Sequence, residues 1–326
     1  MVNIAYDEFG LFHENAAEYG IVGAVSPVVR RVDVPVAPGR SVSSLVWGRG
    51  PVQVVFVHGG AQNAHTWDTV ILALGSGLSA VAVDLPGHGH SDWRADGQYS
   101  PASLADDLAV VLDSLQTGAV GVVGMSLGGM TAMELAVRHP RLVRRLMMVD
   151  ITPGVNRAKA KAVLDFVDGP QSFPSFEALL QRTTEHNPTR SESSLRRGIL
   201  HNAHQLDDGT WQWRYDRGSK ARSAAAESES ESESEADAAA ARPDEAVADD
   251  TSALMSPLWD DFAAVRMPLM VVRGSVSPVV DDDDITEARR RQPNIVVEVV
   301  DGAGHSVQGD RPLELAALVR GFVLQP

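Results

Sequence analysis

An apolar run that leads into a glycine-rich turn and then into an amphipathic segment constrains the fold of this chain more than any other feature. Val120–Val123 is typical of a buried strand, and the apolar residues of Leu127–Leu135 recur at helical spacing. Gly124–Gly128 between them has the pattern G-x-S-x-G, and glycine lets a strand and a helix approach closely because it has no Cβ atom. The segment predicts a sharp turn that exposes the Ser126 hydroxyl at a sheet edge, above a helix N-terminus. Ser126 is therefore a candidate nucleophile, although the same short pattern also occurs in structural turns.

Strand-like and helix-like segments alternate along most of the chain. The predicted strands are Val28–Val36, Ser41–Trp47, Val52–Val57, Ala80–Asp84, Ala119–Val123, Leu146–Val149, Leu269–Arg273 and Ile295–Val300. The predicted helices are Asp7–Tyr19, Thr66–Leu74, Pro101–Leu115, Leu127–His139, Asp284–Arg291 and Arg311–Leu324. Such alternation favours an α/β fold with a mainly parallel sheet and helices on both faces.

A histidine stands where a partner of Ser126 is needed. His305 follows the apolar strand Ile295–Val300 directly, within Asp301–Ser306. A free imidazole titrates near neutral pH, so a histidine at this position could accept the serine proton across the carboxyl edge of the sheet. The alternative is that His305 is an ordinary polar loop residue.

A second glycine-rich loop follows another predicted strand. Val52–Val57 ends in His58-Gly59-Gly60, and backbone N–H groups at such a strand end can point toward an oxyanion. The candidate donors are the N–H groups of Gly60 and of Leu127, the residue after Ser126. We expect His58 to brace this loop rather than to act as a base.

These motifs resemble, in their order along the chain, those of the α/β-hydrolase superfamily. The resemblance rests on His58-Gly59-Gly60, the turn Asp84–Ser91, the turn at Ser126 and the loop of His305. It implies an α/β-hydrolase fold with a catalytic triad and an inserted, mostly helical cap. More narrowly, Gln62–Asp68 and Trp211–Asp216 are similar to segments of capped ester hydrolases of the mycobacterial type.

The position of the triad acid departs from the commonest pattern of that family. Most relatives carry it shortly after the strand that corresponds to Leu269–Arg273, but Gly274–Val280 contains no carboxylate. Asp150, at the end of the strand after the Ser126 helix, is the preferred candidate. The aspartates Asp281–Asp284 are the alternative, although four adjacent acids also suit a helix N-terminus. The third alternative is that the chain has no functional triad acid.

The segment 154–257 interrupts the alternation of strands and helices. We expect residues 1–153 and 258–326 to form the α/β-hydrolase core and 154–257 to form the cap. Within the cap, the alternating Ser/Glu tract at about 218–250 has almost no apolar residues and is predicted to be disordered and catalytically neutral. Trp211, Trp213 and Tyr215 alternate like strand residues, and packing of cap on core is their expected role.

Composition and net charge exclude several classes of partner and cofactor for this chain. The chain has 326 residues, no cysteine and a net charge of −15, which disfavours nucleic acid and anionic membranes as partners. The first residues lack a basic start and an apolar stretch, so a cytoplasmic enzyme is expected. The ten histidines show no local metal-ligand spacing, and neither a nucleotide loop nor a cofactor motif is present, so we expect no metal and no cofactor.

Together, these patterns predict a serine hydrolase that cleaves carboxylic esters of small to medium acyl chain through an acyl-enzyme, as a monomer or weak homo-oligomer. The same nucleophile would also serve a carbon–carbon bond hydrolase, a lactonase or a cofactor-free perhydrolase. An alternative of another class is a non-catalytic receptor or interaction protein built on a hydrolase scaffold.

Overall fold

The computed structural model describes residues 6–22, 27–217 and 257–325, and two sheets organise them. The strands are β1 (Val29–Ala37), β2 (Arg40–Trp47), β3 (Val54–Val57), β4 (Ala80–Val83), β5 (Val120–Met125), β6 (Val143–Val149), β7 (Ser172–Phe173), β8 (Ala203–Gln205), β9 (Trp211–Trp213), β10 (Leu269–Gly274) and β11 (Val296–Val300). Eight of them form the main sheet in the order β1-β2-β4-β3-β5-β6-β10-β11.

The main sheet is parallel apart from one strand. β2 runs antiparallel to both of its neighbours, β1 and β4, and every other pair is parallel. The central strands β3, β4 and β5 are buried along their whole length, which explains their valine-rich sequences. Because parallel strands share one direction, the carboxyl ends of β3, β5, β6 and β11 meet at one edge. The predicted fold class is confirmed.

Helices cover both faces of this sheet. They are α1 (Phe12–Glu18), α2 (Asp68–Leu74), α3 (Pro101–Ser114), α4 (Leu127–Arg138), α5 (Arg157–Val167), α6 (Phe176–His186), α7 (Glu192–Asn202), α8 (Leu258–Ala264), α9 (Asp282–Arg291), α10 (Val307–Asp310) and α11 (Pro312–Leu318). Apolar side chains of α3, α4, α8 and α9 form the core on one face. Those of α1, α2 and α11 form the core on the other face.

The described part of the segment between β6 and α8 leaves the main sheet. It contains α5, α6 and α7 and a small sheet in the order β7-β9-β8. Trp211, Trp213 and Tyr215 are buried together with Phe173 in an aromatic cluster that also contacts Ala61, in the loop after β3. The predicted Ser/Glu tract at about 218–250 lies outside the described residues.

Several helix boundaries differ from the sequence predictions for local reasons. α1 begins at Phe12 rather than Asp7, because Asp7 closes a turn by accepting from the N–H of Gly10 at 3.1 Å. α9 begins at Asp282 because Asp281 caps its N-terminus. The last predicted helix is α-helical only over Pro312–Leu318 and continues as a π-helical turn.

Across the described ranges, none of the helices combines the length and the apolar character that a membrane span requires.

Candidate active site

Ser126 occupies the turn between β5 and α4 in a strained backbone conformation. Its φ is 50° and its ψ is −120°, a region that residues with a side chain rarely adopt. A Cβ atom on Gly124 would lie 2.2 Å from the carbonyl oxygen of Gly128, and one on Gly128 would lie 2.3 Å from that of Val57. Glycine is therefore required on both sides of the serine. The N–H of Ser126 donates to the carbonyl of Val149 at 3.1 Å, which fixes the turn to β6.

His305 and Asp150 form a direct pair beside this turn. Nδ1 of His305 lies 2.7 Å from Oδ2 of Asp150, and His305 lines the same cavity as Ser126. Asp150 is fully buried at the end of β6 and has a φ of 49°. When Nδ1 carries the proton that the carboxylate accepts, Nε2 is the nitrogen left free to accept a proton.

Two further donors hold the Asp150 carboxylate. The N–H of Gly274 donates to its Oδ1 at 2.9 Å, and the Ser277 hydroxyl donates to its Oδ2 at 2.5 Å. Both donors belong to β10 or the loop after it, the loop in which most relatives carry the acid. That loop thus supplies hydrogen bonds to a carboxylate that comes from β6. In the sequence, Ser277 carries no signal for this role other than its position in this loop.

Two of the alternative acids, Asp281 and Asp284, are engaged elsewhere. The side chain of Asp281 accepts from the N–H of Asp284 at 2.9 Å, and that of Asp284 accepts from the N–H of Asp281 at 3.1 Å. Lys159 lies 2.9 Å from a carboxylate oxygen of each. These residues form the capping box of α9, and the acid that pairs with His305 in the described structure is Asp150.

The loop after β3 contributes backbone donors to the same edge. Gly60 lines the cavity beside Ser126, and Ala61 next to it has a φ of 56°. Leu127 is the first residue of α4, where an N–H has no partner within the helix. In the described structure neither the Gly60 nor the Leu127 N–H donates to another protein group. Both remain candidates for binding an oxyanion.

His58 braces this loop, as expected. Its Nδ1 donates to the carbonyl of Gly59 at 2.7 Å, and its Nε2 accepts from the N–H of Leu85 at 2.9 Å. Burial, with a smaller contribution from His88, lowers the pKa of His58 to about 3. The ring is therefore neutral and fixed in one tautomer.

Gln62 connects the loop after β3 to the loop of His305 through hydrogen bonds. Its Oε1 accepts from the N–H of Gly59 at 3.1 Å and from Nε2 of Gln308 at 3.3 Å. Its Nε2 donates to the Ser306 hydroxyl at 3.4 Å. These contacts hold together the two loops that flank Ser126. The sequence does not predict that Gln62 or Gln308 links these two loops.

The cavity at Ser126 has a volume of about 360 Å³, and many of its lining side chains are apolar. Residues of α5 form one wall and residues of the loop after β10 form another. The apolar lining residues are Ala162, Val163, Phe166, Val167, Val276, Pro278 and Val279. These side chains suit an apolar chain on a ligand.

Fold and site together define the class of this protein. Residues 53–312 match the family described as the alpha/beta hydrolase fold, and the chain belongs to that family.

Among individual proteins, the chain is 42% identical over 324 residues to the esterase Rv0045c of Mycobacterium tuberculosis, covering 97% of this chain and 96% of the relative. A solved structure of that esterase has a TM-score of 0.76, with 98% of this chain and 99% of the other covered. The solved structure of an E-2-(acetamidomethylene)succinate hydrolase, at 25% identity, has a TM-score of 0.73 with 91% and 99% covered. The predicted resemblance to the mycobacterial type is confirmed.

Proposed function

We propose that this protein is a serine esterase that cleaves carboxylic esters of small to medium acyl chain through an acyl-enzyme. The observation that carries the proposal is the pairing of His305 Nδ1 with Asp150 Oδ2 at 2.7 Å in the cavity that Ser126 lines. A nucleophile, a base and a group that orients the base are the elements of this chemistry. The name of the Mycobacterium tuberculosis relative, an esterase, supports the same activity.

The first half of the reaction acylates the serine. Ser126 Oγ attacks the ester carbonyl carbon, and Nε2 of His305 takes the hydroxyl proton. The carbonyl oxygen becomes an oxyanion, and the N–H groups of Gly60 and Leu127 donate to it. As the tetrahedral intermediate collapses, the bond to the alcohol oxygen breaks and His305 gives its proton to the departing alkoxide. Asp150 stabilises the imidazolium that exists between these two proton transfers.

The second half returns the enzyme to its starting state. Water enters the place of the alcohol, His305 accepts one of its protons, and the resulting hydroxide attacks the acyl carbon. The bond to Ser126 Oγ then breaks, the serine regains the proton from His305, and the carboxylic acid leaves. Because the same histidine acts as base and acid twice, its orientation by Asp150 matters in every step.

We assign residues 154–257 to a cap over this site. α5 supports the assignment, because it belongs to this segment and its side chains line the same cavity as Ser126. Phe166 and Val167 would contact the acyl chain of a bound ester and limit its length. A cavity of about 360 Å³ suits short and medium chains.

A panel of p-nitrophenyl esters of graded acyl length tests the proposal. We expect turnover that is highest for short or medium chains and falls for long ones. Ser126→Ala should remove all but a small residual rate while the protein stays folded, because the oxyanion donors and binding remain. A folded Ser126→Ala variant that retains half of the activity would refute the assignment.

A further inference from the structure

A second cavity lies beside the catalytic one and takes no part in the mechanism above. It has a volume of about 120 Å³, and Gln62 and Ser306 line both cavities. Three of its lining side chains, His65, Asp68 and His201, are buried and carry potential metal ligands. One ligand atom from each lies within 4.8 Å of the others.

The three side chains converge from two parts of the fold. His65 lies just before α2 and Asp68 begins it, whereas His201 lies near the end of α7. Nδ1 of His65 is 2.9 Å from Oδ2 of Asp68, and Nε2 of His201 is 3.8 Å from the same oxygen. The two imidazole rings stack with centroids 3.7 Å apart. Both rings therefore direct a nitrogen toward one carboxylate.

Two atoms of this group are buried without a hydrogen-bond partner in the described structure. They are Nε2 of His201 and Oδ1 of Asp68, and the two residues are only 4% and 1% exposed. Buried polar atoms normally have a partner, since leaving one unsatisfied costs about 1–3 kcal/mol. Nε2 of His201 lies 3.8 Å from Oδ2 of the same carboxylate, so a cation bound between the two side chains would give both of them a partner.

The other nitrogen of each ring already has the contact that metal-bound histidines have. Nδ1 of His201 lies 2.8 Å from the Tyr6 hydroxyl, and Nε2 of His65 lies 3.2 Å from Oε1 of Glu8. Metal-ligating histidines almost always use their second nitrogen for such a bond, which fixes the ring orientation.

The local charge also favours a cation. Glu8, Asp68 and Asp84 surround His65, and Arg31 is the cation paired with Glu8 and Asp84.

We infer that His65, Asp68 and His201 form a binding site for a divalent transition metal ion such as Zn²⁺. The ligands are Nδ1 of His65, the Asp68 carboxylate and Nε2 of His201, with a fourth position toward the cavity for water. Two imidazoles favour a transition metal over Mg²⁺ or Ca²⁺. The stacked rings must tilt so that their lone pairs converge, and the ion displaces the proton of His65 into solvent.

Such a site would join the segment containing α7 to the loop beside Ser126. Asn202, next to His201, donates to the carbonyl of Ala61 at 2.7 Å and lies 3.3 Å from the Asn63 side chain. An ion between α2 and α7 would therefore fix the loop that carries Gly60. Local spacing in the sequence predicts no metal site, because His201 is far from His65 along the chain.

Anomalous diffraction from crystals of the full chain soaked in Zn²⁺ tests the inference without any variant. We expect a zinc peak about 2.0–2.1 Å from Nδ1 of His65 and from Nε2 of His201. A map with no peak there, or with peaks only at surface histidines such as His139, would overturn it.

Zinc titration of the chelator-stripped protein against a chromogenic chelator gives the matching test in solution. Asp68→Asn and His201→Phe should each weaken binding at least about tenfold, since each removes a ligand while keeping shape or ring stacking. His139→Phe, which removes a surface histidine beside Asp106, is the control and should bind zinc like the parent. Equal affinity in all four proteins would refute the site, and neither readout depends on ester turnover.

Discussion

At the scale of single residues, backbone strain is concentrated around Ser126. In the described ranges, the residues other than glycine with a positive φ are Ala61, Gln116, Ser126 and Asp150. Three of these four lie at the carboxyl edge of the sheet where the proposed nucleophile, acid and oxyanion loop meet. Each such conformation costs on the order of 1–3 kcal/mol and persists only where its surroundings enforce it. The concentration of strain at this edge supports a functional role for it.

Asp150→Asn tests the assignment of the triad acid. We expect kcat for a p-nitrophenyl ester to fall by about a thousandfold to ten-thousandfold, because an amide can favour the wrong tautomer of His305 and does not stabilise its imidazolium. Asp281→Asn is the matched control, since asparagine still caps α9 and Asp281 lies outside the His305 pair. It should keep close to full activity. The assignment fails if the two variants, both folded by circular dichroism, have similar kcat values.

At the scale of elements, the close packing of β5 and α4 positions the serine. Gly124 and Gly128 allow the strand and helix to approach, and the space that a Cβ atom would need is taken by backbone atoms. Backbone moves less easily than a flexible side chain. A larger residue at either position would therefore have to shift the elements that carry Ser126 and the loop after β3.

Gly128→Ala tests this packing. Its new Cβ would lie 2.3 Å from the carbonyl of Val57 and 2.4 Å from that of His58, so β3 and α4 must separate. We expect the free energy of unfolding to fall by about 1–3 kcal/mol, with a larger loss of ester turnover than of stability. Gly77→Ala, where no atom lies within 4 Å of the added methyl group, should leave both unchanged. Chemical denaturation and the ester assay measure the two effects, and similar results for both variants would contradict the account.

The sequence predicts the elements whose signal is local. The turn at Ser126, the His58–Gly60 loop and the alternation of strands and helices follow from glycine positions and apolar spacing. The sequence offers Asp150 only as the preferred of several candidate acids. Which acid reaches His305 depends on β6 and β10 being neighbours in the sheet, and a local pattern does not show this. Gln62 and Ser277 were missed since a polar loop residue has no periodicity. The grouping of His65 with His201 requires the packing of α7 against the core.

At the scale of the whole molecule, the cavity at Ser126 and the second cavity share Gln62 as a lining residue. Gln62 borders both and holds the loop after β3 to the loop of His305. α7 contacts the same loop from the second cavity through Asn202. Hydrogen bonds therefore connect the second cavity with the loop after β3, which carries the proposed oxyanion donor Gly60.

Deletion of residues 222–249 tests how much of the proposed cap the chemistry needs. This stretch lies outside the described residues, and its Ser/Glu composition predicts little buried surface. With a short Gly-Ser link in its place, we expect kcat/KM for the preferred ester to stay within a few-fold of the parent, because loop length changes folding free energy only slowly. A folded deletion variant without activity would show that the stretch belongs to the working structure of the cap.

Labelling with a fluorophosphonate probe, followed by peptide mass spectrometry, tests the central claim most directly. The probe phosphonylates only a serine that a neighbouring base activates, so it reports the nucleophile itself rather than overall turnover. We predict one adduct per chain on Ser126, with strongly reduced labelling in His305→Ala and none in Ser126→Ala. An unlabelled parent protein, or an adduct on another serine that persists in Ser126→Ala, would contradict the claim that Ser126 and His305 form the catalytic centre.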